Sequence, residues 1–227
     1  MKLILLALAF AVQNQPVFNE AERGPNTGFP PERTLSPAHD LYFEDSAPST
    51  LEARIAAQDF GACVADTSAV VARDVLKRDF TTRAYDRSLR RLVGGNEDCL
   101  RRRGSMRSSS LILAGAIAER LIEREDGPIN VRLARAALRP SAPTFSVSDR
   151  AANCVVRSVP DDVARLFESE VAGDAETTMT DQLRPVLAAC LGTGQPIEAT
   201  PAGLRAILAT AAFREINADP PTAETRN

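Results

Sequence analysis

Beyond residue 60, apolar side chains recur at helical spacing in two stretches separated by a Pro-containing segment. In the first stretch Thr67 or Ser68 can cap a helix running through Phe80, with Val71, Val75 and Leu76 on one side. Thr82 to Val93 predicts a second helix whose stripe is Tyr85, Leu89, Leu92 and Val93, and Gly94-Gly95 suits a left-handed C-terminal cap. Leu111 to Glu125 predicts a third, with Leu113, Ile117 and Leu121 in register, stopped by Gly127-Pro128. In the second stretch Ser158 and Asp161 resemble a capping box, and Gly173 breaks the helix they start near its end. Pro185 is expected to kink or shorten the next helix, because proline removes an internal hydrogen bond. The last helix carries Leu204, Ile207, Leu208, Ala211 and Ala212, opened by Thr200-Pro201.

The two stretches share a register. Cys63 and Cys99 are 36 apart, as are Cys154 and Cys190, and a shift of 91 aligns both pairs. The same shift places Val64 on Val155, Leu92 on Leu183, Leu100 on Leu191, Leu113 on Leu204 and the cap Ser109 on Thr200. A tandem duplication accounts for shared cysteine spacing, cap position and apolar register together. The expected fold is mostly α: two three-helix units, at 51–126 and 151–217, each stapled by a disulfide. Four cysteines allow three connectivities, and the duplication selects Cys63–Cys99 with Cys154–Cys190. The joining segment 127–150 contains Pro128, Pro140 and Pro143; a short helix over Val131–Leu138 and a short strand over Thr144–Val147 fit its sequence.

The N-terminal part is different. Lys2 followed by the apolar run Leu3–Val12 reads as a signal peptide, too short to cross a bilayer and with Ala9-Phe10-Ala11 as a cleavage pattern. Residues 13–50 hold six prolines among polar residues and read as a disordered tether, in which Leu41-Tyr42-Phe43 is the one apolar spot. Residues 218–227 read as a disordered tail. An even cysteine count behind a leader fits an oxidising compartment, so the expected location is periplasmic or secreted.

The composition, 44% hydrophobic and 25% charged with net charge −3, is that of a globular protein and gives no global attraction to nucleic acid. The sole histidine, His39, sits in the tether, which argues against His-based acid–base or triad chemistry. No Cys-x-x-Cys pair or Cys/His cluster suggests a metal, and no cofactor is expected. Ser108, Ser109 and Ser110 lack the flanking residues of a known nucleophile motif and suit helix capping. Glu119 and Glu123, interleaved with Arg120 and Arg124, read as a solvated face.

Charge is unevenly divided. Residues 60–126 carry 13 basic and 10 acidic side chains, whereas 151–217 carry 5 basic and 9 acidic. Arg83, Arg87, Arg90 and Arg91 share one helical face, and Arg101, Arg102, Arg103 and Arg107 follow Cys99. One reading is a cationic patch for an anionic envelope component or another protein. The other is a solvated face with local pairs Asp74–Arg78 and Asp86–Arg90, favoured by a composition in which 25 of 27 basic residues are Arg. The acidic unit packing on the basic one, within or between chains, is a third arrangement.

Phe60-Gly61-Ala62-Cys63-Val64, a helix, then Cys99-Leu100, a Gly-containing turn and a Leu/Ala-rich helix resembles a family of small exported Gram-negative proteins with one or two two-cysteine helical units. The resemblance covers about 60–125 and 151–216, with Ala152-Asn153 departing from the pattern before the third cysteine. It implies export, helices and intra-unit disulfides, and carries no catalytic residues. The expected function is therefore a non-enzymatic exported interaction or scaffold module, with an enzyme site in the cleft between the units as the rival. Closing a loop of 36 residues contributes ~4 kcal/mol in the chain-entropy account, much of the stability of a small helical unit. Reductant should therefore lower the calorimetric melting temperature steeply, and an unchanged melt would contradict a structural role for the bridges.

Overall fold

The computed structural model describes residues 50–100, 108–192 and 199–218. The expectations for the leader, the tether with His39 and Leu41–Phe43, the Arg101–Arg107 run and most of the tail lie outside the described residues. Those described form nine α-helices, one short 3-10 turn and no strand, so the chain is all-α. In order these are α1 Leu51–Thr67, α2 Ala69–Leu76, α3 Arg83–Gly94, the 3-10 turn Glu97–Cys99, α4 Ser110–Glu123, α5 Ile129–Ala137, α6 Val147–Ser158, α7 Pro160–Glu168, α8 Asp174–Leu191 and α9 Pro201–Ile216.

Short polar side chains set many of the helix starts. The hydroxyls of Thr50, Thr82, Ser109, Ser146 and Thr200 accept from the backbone N–H three residues on, opening α1, α3, α4, α6 and α9. Pro160 opens α7, and Asp174 and Glu176 place negative charge in the first turn of α8. Both disulfides form with the expected pairing, with Cα–Cα distances of 5.7 Å for Cys63–Cys99 and 5.8 Å for Cys154–Cys190.

Several expectations are corrected. Each half has four helices, α1–α4 and α6–α9, with α5 between them, instead of three. The helix α1 is absent from the periodicity because its buried face is mainly small: Ala57, Phe60, Gly61, Val64 and Ala65. It ends at Thr67, so neither Thr67 nor Ser68 caps α2 through its side chain; the Ser68 hydroxyl donates to Asn96 instead. The helix α2 stops at Leu76, short of Phe80, and buries Val75 and Leu76 while Val71 is exposed. At the end of α3, Gly95 has φ −77° and ψ −3°, a right-handed conformation, because the chain keeps turning into Glu97–Cys99 to reach Cys63. Ser158 ends α6 instead of capping α7, and Gly173 precedes α8 instead of breaking α7, which ends at Glu168. The helix α8 is not shortened at Pro185; that residue is exposed, so water can hydrate the carbonyl that loses its partner. The segment expected as a strand at Thr144–Val147 leads straight into α6.

The two halves share one core. Its centre is α9, buried on every side from Gly203 to Glu215, and not merely along the expected stripe. The helix α4 packs on α1 and on α9 through glycines. A Cβ on Gly61 would sit 2.4 Å from the Ala116 Cβ, and one on Gly115 would sit 2.5 Å from the Ala206 Cα. The second contact is with backbone, which cannot rotate away. Gly115→Val should therefore lower stability by about 1–3 kcal/mol in urea unfolding. Gly94→Ala, which meets nothing within 4 Å, should leave it within about 1 kcal/mol of the parent.

Candidate functional site

Charged side chains meet at three buried places where the halves join. The first lies between α4 and α9. Arg205 donates from Nε to Glu119 Oε2 at 2.9 Å and from a terminal nitrogen to Glu119 Oε1 at 2.6 Å, a two-point fork. Its remaining N–H groups reach the carbonyls of Phe167 and Ser169 and the Ser169 hydroxyl, at 3.1, 3.0 and 3.2 Å. Glu176, from the first turn of α8, lies 3.6 Å from Arg205 and accepts from Arg54 of α1 and from the Ala172 N–H. Arg54, Glu119, Glu176 and Arg205 thus form a chain of alternating sign that is neutral overall. Burial pushes the Glu119 carboxyl up from the ordinary carboxylate range, against the pull of the Arg205 hydrogen bond and charge. For Arg205 burial works the other way, and its bonds and attraction to Glu119 outweigh it.

The second place joins the α2–α3 loop to the second half. Arg214 of α9 pairs with buried Asp149 of α6, which also accepts from the Phe145 N–H at 2.9 Å. The guanidinium lies 5.5 Å from the ring centre of Phe80 and 5.9 Å from that of Phe145, within cation–π range. Phe80 meets Phe145 and Tyr85 edge to face. Burial pushes the Tyr85 hydroxyl up to about 12 despite the nearby Arg214 charge.

The third is a clasp on the joining segment. Glu215 accepts from the Ala142 N–H at 2.8 Å, the Ser141 hydroxyl at 3.0 Å and the Asn153 amide, and pairs with Arg157 at 2.8 Å. Arg157 also donates to the Ala137 and Arg139 carbonyls, closing the C-terminal end of α5.

Sequence reasoning placed Glu119 on a solvated face; it is 2% exposed. The missed signal was its future partner, since an arginine inside the apolar run of α9 requires a buried acid somewhere. The expected solvated face does exist beside it, where Arg120 and Arg124 both pair with Asp66.

Of the predicted arginines, Arg83, Arg87, Arg90 and Arg91 are brought together on the exposed side of α3. Asp74–Arg78 pairs as anticipated, but Asp86 and Arg90 form no ion pair among the described residues, and neither do Arg87 or Arg91. Arg101, Arg102, Arg103 and Arg107 lie outside the described residues. Among the described residues no group of His, Cys, Asp and Glu is placed to hold a metal, and no helix is long and apolar enough to cross a membrane. No family model, curated protein or solved structure matches this chain. Function must therefore be argued from the geometry.

Removing one member of the α4–α9 pair leaves a buried charge alone. Arg205→Met should cost about 3–5 kcal/mol, whereas Glu119→Leu with Arg205→Met should recover part of that loss. Urea unfolding of both variants checks the difference.

Proposed function

We propose that the protein is an exported, non-enzymatic interaction or scaffold module of the bacterial envelope, periplasmic or secreted. The observation that carries this reading is the contrast between its charges. The buried ones are matched to one another, Glu119 with Arg205 across the halves and Asp149 with Arg214 and Glu215 with Arg157 within the second, while Arg87, Arg90 and Arg91 stand exposed on α3 with no ion pair among the described residues. A rigid helix presenting unpaired arginines suits docking on an anionic surface of the envelope. Two disulfides and the apolar run Leu3–Val12 support export, in line with the resemblance to small exported two-cysteine helical proteins.

We also infer that the halves arose by tandem duplication. The helices starting at Ala69, Arg83 and Ser110 have counterparts starting at Pro160, Asp174 and Pro201, each 91 residues later, and the disulfides keep the same shift. The rival reading, an enzyme between the halves, has in its favour the convergence there of Arg54, Glu119, Glu176 and Arg205. Both Glu119 oxygens are engaged by Arg205, which supports a clamp over a reactive carboxylate.

The envelope form should lack the leader and contain no alkylatable thiol in non-reducing mass spectrometry; an intact Met1 with four free thiols overturns export. Replacing Arg87, Arg90 and Arg91 by Ser should weaken retention on anionic vesicles on the order of a hundredfold at low salt, at roughly 1 kcal/mol per arginine. Equal retention by variant and parent overturns the docking role of α3.

A further inference from the structure

The face of α3 that bears the arginines has a counterpart on α8. Shifting by 91 residues carries Arg83 to Asp174, Arg87 to Thr178, Arg90 to Asp181 and Arg91 to Gln182. All four counterparts are exposed, and the two acids sit seven residues apart, as Arg83 and Arg90 do. One helix position, occupied twice in the fold, thus presents a cationic face in one half and an acidic face in the other. Glu170, exposed just before α8, adds to the acidic side. Against this, Asp86 lies on the flank of α3, and Arg184 pairs with Asp181 at 3.0 Å while leaving that carboxylate largely exposed.

Since both faces are exposed, neither covers the other within the chain. We propose that the arginine face of α3 docks on the acidic face of α8 in a second copy of this protein. This rests on the reading of α3 as a docking surface and names its partner. The contact joins unlike faces, so it is heterologous and either closes a ring or propagates. It is built from exposed charges, so salt weakens it and mutation of its charges changes it strongly.

The test is analytical ultracentrifugation of the full chain with a charge exchange. At low salt the parent should show a mass that rises with concentration above 24.4 kDa, falling back to that value in roughly 0.5 M salt. A variant with Arg87→Glu, Arg90→Glu and Arg91→Glu has two acidic faces and should associate at least about tenfold more weakly. A variant with Asp174→Arg and Asp181→Arg has two basic faces and should do likewise. Mixed together, the two variants present opposite faces again and should recover association. Circular dichroism confirms that both keep their helices, and substitution by Ser at the same positions replaces any variant that does not fold. A parent that stays monomeric at low salt, or a mixture that stays monomeric, overturns the proposal. Vesicle retention separates the two levels. A monomeric parent whose retention still depends on the α3 arginines loses only the self-association, while a monomeric parent with arginine-independent retention loses the docking reading as well.

Discussion

The closeness of α4 and α9 governs what else the structure must contain. With a glycine at 115 facing Ala206, the two backbones approach so nearly that no water separates them. Polar groups along that seam are then in a medium where an unpaired charge is very costly. Arg205 lies in it 4% exposed, and the surroundings meet its donors with a carboxylate, two carbonyls and a hydroxyl. The disulfides do a different job. Each joins helices of one half, α1 to the turn after α3 and α6 to the end of α8, so neither crosses the seam. Among the described residues, cohesion between the halves rests on packing, ring contacts, hydrogen bonds and matched charge, with no disulfide across the seam.

The seam also shows which positions of the two halves, aligned by the shift of 91, carry charge. Under the shift of 91, Gly115 corresponds to Ala206, the residue it touches, so the helices meet at equivalent positions. Glu119 corresponds to Thr210 and Arg205 to Ala114. The ion pair on one side therefore corresponds to a Thr and an Ala on the other, with both charges missing together. A buried position tolerates a new charge only when its partner changes too. Solvated faces obey no such rule, and the exposed faces of α3 and α8 differ in sign.

How much of this was legible depended on the range of the interaction involved. The caps Ser109 and Thr200 act on N–H groups three residues away, and the sequence pattern located both, while it placed Thr82, the cap of α3, as that helix's first residue. The disulfide partners were readable because the duplication signal reduced three connectivities to one. The helix α1 was not, since its buried Ala and Gly positions mimic an unpatterned segment until α4 is present to close on them. That Pro185 does not shorten α8 was not legible, because the cost of a proline depends on exposure, which is a tertiary property. Glu119 misled most: the charged residues near it in sequence, Arg120, Glu123 and Arg124, reach solvent, whereas its partner lies 86 residues away. On the candidate surface, the helical spacing of the α3 arginines was plain, but that Arg87, Arg90 and Arg91 form no ion pair among the described residues was not, because Asp86 at the right spacing suggested one.

The three charged residues of α9 have a further consequence for specificity. The rest of its buried length is largely Ala, Leu, Ile and Phe, a surface that fits several axial positions almost equally well. Arg205 is held by α4 and the α7–α8 loop, Arg214 by α6 and the Phe80–Phe145 pair, and Glu215 by the joining segment and α6. Rotating or sliding α9 by one turn would unpair all three at once, at several kcal/mol for each buried charge. Apolar burial supplies the tendency of α9 to be inside, and these three residues select one position for it. That is the role a lone polar residue plays in a coiled-coil seam, here distributed over a helix surrounded on all sides. The asymmetry of the partners fixes direction as well as register, because Arg205 near one end of α9 is met by α4, whereas Arg214 and Glu215 near the other are met by α6 and the joining segment.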